Sequence, residues 1–392
     1  MIRNAFSLRF PLSIRLAFLS IVHCLFFFPL SGAGLEEPFE TISEELSLLL
    51  SGKENICPAI SIATINPGGI SSLGAAGMRK IGNTEKVELD DKFHLGSCTK
   101  SMTAVLGAIL VKEGLLKWDT KVVDVFEDID IHSGYHNATL LNLLGNTAGC
   151  PKKVPASLWS KLWSMEPDPI RQRRNLAVGI LKMQPCFKPG TSYEYSNAGF
   201  AIAGHMMEKS AGIAFEELIV EKLFKPLEMH SAGFGPPATR GKIDHPYGHL
   251  EKNSQLLSVD PHPMGDNPVA ITPAGRVHCS IKDFAKFARL FLSGHEGINL
   301  TSNEIKFLLK ADLPNHNYAK GFFIVNRDWG KGNVYMHTGS NTMFYSVMWI
   351  APKIDFAIVA ACNSGDRKAY EFMDSIVWKY IQEFKYELII TE

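Results

Sequence analysis

Strand-like patterning at both ends of the chain, with helical patterning between, is the feature that most constrains its fold. Residues 59–65 alternate like a strand, turn at Asn66-Pro67-Gly68-Gly69, and 70–76 return, which predicts a hairpin. Late in the chain, 321–325, 334–338, 344–350 and 356–361 are β-branched or aromatic runs separated by turn residues. A closing helix is predicted over 367–385 and a first amphipathic helix over 36–50. Elements with an apolar face must bury it against another layer. The expectation is therefore an α/β (α+β) fold: one antiparallel sheet built from both chain ends and flanked by helices. The middle of the chain, about 110–313, becomes a mainly helical lobe inserted into it, with a cleft between. With 392 residues, 46% of them hydrophobic, the chain can bury a large core as one broad domain or two intimately packed lobes. The Pro- and Gly-rich segment 231–273 reads as long ordered loops, and no internal repeat or low-complexity tract interrupts the pattern.

The chemistry begins at Gly96-Ser97-Cys98-Thr99-Lys100-Ser101. A serine and a lysine three apart stack on one helical face, so the amine reaches the hydroxyl. Met102, Val105, Leu106, Ile109 and Leu110 then recur at the spacing of a buried helical face, and Gly114 closes it. Ser97 is thus expected in the first helical turn, where free N–H groups favour a developing alkoxide. An ordinary helix start with a capping serine looks the same, so the pair alone decides little. Two further segments supply what it lacks. Tyr195-Ser196-Asn197 offers a phenol and an amide where a loop feeds a helix, and His337-Thr338-Gly339-Ser340 ends a strand-like run whose glycine lets a substrate lie against the backbone.

The order Ser-x-x-Lys, Tyr-x-Asn, then a basic residue with Thr-Gly on a late strand resembles the serine β-lactamase and penicillin-binding enzymes. It is closest to their class C β-lactamase, D-Ala-D-Ala carboxypeptidase and esterase branch. The resemblance covers nearly all of the chain beyond its leader and extends to Phe93-His94-Leu95-Gly96, Glu113-Gly114-Leu115, Pro273-Ala274-Gly275 and Ile358-Val359-Ala360-Ala361. It implies an acyl-enzyme on Ser97, with Lys100 or the Tyr195 oxygen as the base and a Lys100 cation paired with a Tyr195 phenolate as one source of the needed pKa shift. It places oxyanion donors at the backbone N–H groups of Ser97 and Ser340, and gives Asn197 the task of positioning Lys100 and a substrate amide. The substrate-binding set is then Asn197, His337, Thr338, Gly339 and Ser340. His337 departs from the lysine of many members, as Gly145-Asn146 departs from a Thr-His pair. A free imidazole titrates near 6.5, so recognition of anionic substrates is expected to strengthen towards pH 6. The alternative for His337 is a satisfied strand-end histidine. Expected substrates are small amides or esters, D-amino-acid peptides and peptidoglycan-derived material foremost, with carboxylesterase or β-lactamase activity as alternatives. The reading from a different class is a catalytically silent penicillin-recognition module or sensor; none of Ser97, Lys100 and Tyr195 is lost, as such a module would allow. The Gly-x-Ser-x-Gly elbow of α/β-hydrolases is absent.

The remaining features bound the setting. Arg3, Arg9 and Arg15 precede an apolar run over 16–30, and Ser31-Gly32-Ala33 offers a cleavage site, so 1–33 reads as an export signal ahead of a hydrolase domain over 34–392, with an uncleaved anchor as the alternative. The expected location is periplasmic or secreted. Lys plus Arg and Asp plus Glu are 40 each, which points away from a nucleic-acid partner. Beyond Cys24 six cysteines remain, of which Cys150 and Cys186 are the best candidates to pair. No cofactor is called for. No Cys-x-x-Cys occurs, Pro246 and Gly248 spoil the spacing of His245 and His249, and His132 and His136 fail similarly, so no metal is expected. Asp266-Asn267-Pro268 reads as a plain turn, with a loop lining the cleft before Pro273-Ala274-Gly275 as the alternative, and Arg171, Arg173 and Arg174 read as a solvated helix face.

Overall fold

Eight strands drawn from the two ends of the chain form one sheet, in the order β1-β3-β2-β13-β12-β11-β10-β9. The computed structural model describes residues 39–391 apart from 164–167, 263–264 and 315; the export signal expected over 1–33, with Cys24, lies outside them. The amino-terminal part supplies β1 (Glu40–Thr41), α1 (Ser43–Leu50), β2 (Ala59–Asn66) and β3 (Gly69–Gly77), then β4 (Lys92–His94) and α2 (Thr99–Lys112). The middle runs through α3 (Val122–Val125), α4 (Leu140–Leu144), α5 (Ala156–Lys161), α6 (Pro169–Leu181), α7 (Asn197–Ala211) and α8 (Phe215–Ile219). There follow β5 (Gly233–Phe234), β6 (Gly248–Lys252), β7 (Gln255–Val259), α9 (Thr272–Gly275), β8 (Val277–Ser280), α10 (Ile281–Ser293) and α11 (Ser302–Leu308). The carboxy-terminal part adds β9 (Tyr318–Ala319), β10 (Phe322–Arg327), β11 (Gly332–Ser340), β12 (Tyr345–Ala351), β13 (Phe356–Cys362) and α12 (Arg367–Thr391).

Every neighbouring pair in the large sheet is antiparallel except β1 with β3. Period-two alternation explains how one sheet closes two cores. On β13, Ala357, Val359 and Ala361 face the inner core, whereas Phe356, Ile358 and Ala360 face outwards. The outer residues meet Ile42, Leu46 and Leu50 beside or on α1, and Met373, Ile376, Val377 and Tyr380 on α12. The inner face receives α10, whose Ile281, Phe284, Phe287, Ala288 and Phe291 follow the helical spacing and whose start is capped by the Ser280 hydroxyl accepting the Asp283 N–H. α10 thus packs on the sheet although it falls within 110–313.

Four expectations change here. The helix drawn over 36–50 starts only at Ser43, after the short β1. The segment 231–273 is not all loop, because β6 and β7 form a hairpin whose turn residues Asn253 and Ser254 both take positive φ, 52° and 60°. Arg173 is not on a solvated face. It is fully buried and bridges Glu208 at 2.7 Å and Glu216 at 2.6 Å, tying α6 to α7 and α8. The six described cysteines are free thiols. Cys150 turns inwards beneath α7 and Cys186 outwards to solvent, so the expected pair does not meet even though the Cys186 N–H donates to the Gly149 carbonyl at 2.8 Å.

Candidate active site

β4 ends at His94, and the chain passes through one 3-10 turn, Gly96–Cys98, before α2 begins. Ser97 therefore sits a step ahead of the α-helix, in the turn. Gly96 adopts φ of +48°, and a Cβ on it would lie 2.2 Å from the Ser340 nitrogen. A Cβ on Gly339 would lie 1.9 Å from the Leu95 oxygen and 2.7 Å from the Ser97 nitrogen. Only two glycines let these backbones touch, and the contact brings the N–H groups of Ser97 and Ser340 side by side. From Phe93 to Leu110 every residue is buried except Ser97. The hydroxyl is the one group of this segment within reach of a substrate.

Lys100 lies beneath it, one turn on and fully buried. Its Nζ is 2.7 Å from Asn197 Oδ1, 2.7 Å from the Ala274 carbonyl oxygen and 3.1 Å from Ser97 Oγ. Burial pulls the amine down to about 7, because a charge there is stripped of water. A neutral amine has two N–H donors for the two short contacts and a lone pair left for the Ser97 hydroxyl. The Pro273-Ala274-Gly275 stretch thus holds the base through its backbone, and Gly204 makes room for it, since a Cβ there would strike Pro273 Cγ at 2.2 Å.

Asn197 opens α7, where the Ser196 hydroxyl accepts the Gly199 N–H at 3.2 Å. Tyr195 just before it is bracketed by Asn146, whose carbonyl accepts the Glu194 N–H and whose Oδ1 accepts the Ser196 N–H, both at 3.0 Å. Asn146 reaches both through a left-handed φ of 56°. The Tyr195 ring lies 4.7 Å from Lys100 Nζ. Burial pushes its phenol well above the ordinary tyrosine range, with a hydrogen bond to Ser97 pulling weakly the other way. The phenolate–ammonium pair is therefore corrected: burial disfavours charge on both groups, leaving a phenol beside an amine.

His337 is also fully buried, against the rings of Tyr195, Tyr318 and Phe323 at 6.1, 6.3 and 5.4 Å. Its Nδ1–H donates to the Thr338 carbonyl at 2.6 Å, so the other nitrogen, Nε2, is a bare acceptor, and it has no partner among the described residues. Burial and the Lys100 charge take its pKa down to about 3. The expected charge switch near pH 6 is thereby removed. Thr338 and Ser340 alternate to the other face of β11, and the Ser340 hydroxyl accepts the Thr342 N–H at 2.8 Å, so Ser340 faces the turn through its backbone.

Two histidines weighed as ligands are accounted for otherwise: His249 accepts the Ile81 N–H at 3.1 Å and donates to Asn363 O at 2.7 Å, while His245 faces Asp91 at 3.0 Å. Among the described residues no His, Cys, Asp or Glu cluster is arranged to hold a metal. Asp266, expected in a plain turn, is buried, with His94 Nε2 2.9 Å from Oδ1 and the Arg276 guanidinium 3.2 Å from Oδ2. Asn146, Asp266 and the Ala274 carbonyl are the parts that sequence reasoning missed.

Residues 51–380 match the Beta-lactamase family model. The chain belongs to the beta-lactamase family. This family member is 26% identical over 325 residues to the unguisins hydrolase ungD' of Aspergillus campestris, covering 78% of this chain and 58% of that one. To protein flp of Staphylococcus aureus it is 20% identical over 347 residues, with 85% and 65% covered. The chain thus spans less than two thirds of the length of these relatives. In fold it resembles the octameric penicillin-binding protein homologue from Pyrococcus abyssi, with a TM-score of 0.71 at 23% identity over 86% of this chain and 76% of that one. A D-stereospecific amidohydrolase from Streptomyces sp. gives 0.63 at 20% identity, covering 82% and 95%.

Proposed function

We propose that the chain hydrolyses small amides or esters through an acyl-enzyme on Ser97, with Lys100 as the general base and Tyr195 as the carrier of the proton to the leaving atom. The observation that carries this reading is the buried Lys100 amine 3.1 Å from the Ser97 hydroxyl, its pKa lowered by burial to about 7. In acylation the Ser97 proton passes to Nζ, Oγ bonds to the carbonyl carbon, and the oxyanion meets the Ser97 and Ser340 N–H groups. Collapse breaks the bond to the leaving nitrogen or oxygen, which takes the proton through the Tyr195 hydroxyl. Water repeats the sequence in reverse and frees Ser97. D-amino-acid peptides, including peptidoglycan-derived ones, are the substrates we assign, met after export directed by residues 1–33. The neutral imidazole at 337 favours amides and esters with no carboxylate at that end, where a lysine would have offered a cation. This is also what supports an esterase as the second reading.

The test is intact-protein mass after mixing with an activated ester and with a penicillin. A transient adduct on Ser97 with turnover is expected, and a permanent adduct with both probes would favour the sensor. Ser97→Ala should abolish adduct and turnover while moving the melting temperature by no more than about 2 °C, since it removes one hydroxyl and no packing. Ester turnover near the wild-type rate in that variant would refute the nucleophile.

A further inference from the structure

We infer that Asp266 is a positioning residue that ties the two backbone donors, the N–H groups of Ser97 and Ser340, to one buried carboxylate. The inference rests on the acyl-transfer reading above. Asp266 Oδ1 is 2.9 Å from His94 Nε2 and accepts the Asn341 Nδ2–H at 2.9 Å, while Oδ2 accepts the Arg276 Nε–H at 3.2 Å. His94 in turn accepts the Gly96 N–H on Nδ1 at 3.0 Å, so its proton lies on the nitrogen that faces Asp266. Gly96 immediately precedes Ser97. On the other arm, Asn341 immediately follows Ser340, and its Oδ1 accepts the N–H groups of Met343 at 3.2 Å and Phe344 at 3.1 Å. One carboxylate therefore reaches the residue before one donor and the residue after the other.

The glycine contact makes such a tie necessary. Gly96 and Gly339 bring the two backbones together by having no side chains, and so provide no packing to fix their spacing. An oxyanion hole acts only with donors held about 2.7–3.1 Å from the developing charge. The carboxyl is suited to the task, because its side chain is wholly excluded from solvent and His94 and Arg276 hold it ionised, down to about 2, against the penalty of burial. Asn267 beside it donates to the Gly275 carbonyl at 2.9 Å, which fastens the same loop to the stretch that holds Lys100.

Asp266→Ala in the full chain tests this with a neutral activated ester and with phenylboronic acid, which forms a tetrahedral anion on a serine oxygen. The expected result is acylation slowed by about a hundredfold or more with KM within about threefold, boronate affinity weakened by a similar factor, and a smaller loss in Asp266→Asn. Amide hydrogen exchange over 94–98 and 339–344 should quicken in both segments together. Unchanged acylation and boronate affinity in a folded variant would overturn the inference, as would a loss carried wholly by KM. Should Asp266→Ala fail to fold, Asn341→Ala severs the β11 arm alone and should slow acylation by about tenfold or more, an unchanged rate being the overturning result. If wild-type protein gave no Ser97 adduct at all, the acyl-transfer reading would fall. Hydrogen exchange would still decide on the tie, since unchanged protection of both segments rejects it.

Discussion

Lys100 and His337 show how one physical cause has opposite consequences at neighbouring residues. Burial strips both of charge: it turns the lysine into a base near neutrality and silences the histidine as a switch. The sign is testable. The amine must be unprotonated to act, so kcat/KM for a neutral ester should rise with pH through about 7 and level off above it. Lys100→Arg, cationic throughout, should lower acylation by at least about a hundredfold and erase that limb. The ratio of kcat/KM for matched anionic and neutral substrates should stay flat between about pH 5.5 and 8.5, since His337 titrates far below the ordinary histidine range. A ratio that climbs towards the acid side would show a charged imidazole. The grouping of Ser97 with Lys100 was legible in their spacing, and that of Tyr195 with them in the resemblance of Tyr195-Ser196-Asn197 to a family motif. Asp266 was not: its partners stand 75 positions away at Asn341 and far upstream at His94, and a carboxylate beside Asn-Pro looks like any turn.

Among the elements, the six strands expected from the sequence match within a residue or two because period two survives burial on one or both faces, as in 356–361 against Phe356–Cys362, whereas strands of two to four residues such as β1, β4, β5, β8 and β9 are too short to show a period. The β6–β7 hairpin was missed because Asn-Ser is a weak turn signal until both residues are seen in the left-handed region. Arg173 was misread because its exposed neighbours Arg171 and Arg174 set the local impression, while its acidic partners lie on α7 and α8. Arg173→Ala should lower stability by about 3–5 kcal/mol in chemical denaturation, as it strands two carboxylates between packed helices. Where elements meet at the site, Gly339→Ala should lower stability by about 2–3 kcal/mol and nearly abolish acylation, since its Cβ would be driven into the Leu95 carbonyl. Gly52→Ala provides the opposite case: φ is 73° there, outside the range of Gly339, and nothing lies within 4 Å, so about 1 kcal/mol and no change in acylation are expected. Gly339 lies in a strand and not in the left-handed region, so a loss in Gly339→Ala no larger than that at Gly52, with acylation unchanged, would mean that the close approach does not explain the glycine.

For the whole molecule, three buried histidines set the response to acid. His249 and His278 are held down to about 4 and His337 to about 3, each chiefly by burial. Unfolded, they regain values near 6.5 and take up protons that the native state refuses. Their contribution is thus present above pH 6.5 and lost as pH falls, with a limiting slope on the order of 4 kcal/mol per pH unit near pH 5 for three protons. Asp266, held down to about 2, is lost only in the lower window beneath its unfolded value and does not offset this. Melting temperature should fall steadily from pH 7 to 5, and a flat profile would show the histidines protonated in the fold. The sheet drawn from both chain ends carries a consequence in time. Ala59 is bonded to Asn363, 304 positions on, and β2 lies against β13. At about 5–20 residues per second, a ribosome needs roughly 15–60 s between making these partners. For most of that interval, from the making of Lys100 to that of Ser340, the growing chain bears its nucleophile and its base yet no second donor. Hydrolytic power arrives late in synthesis, and a chain cut short before β11 is an armed serine with nothing to fire it.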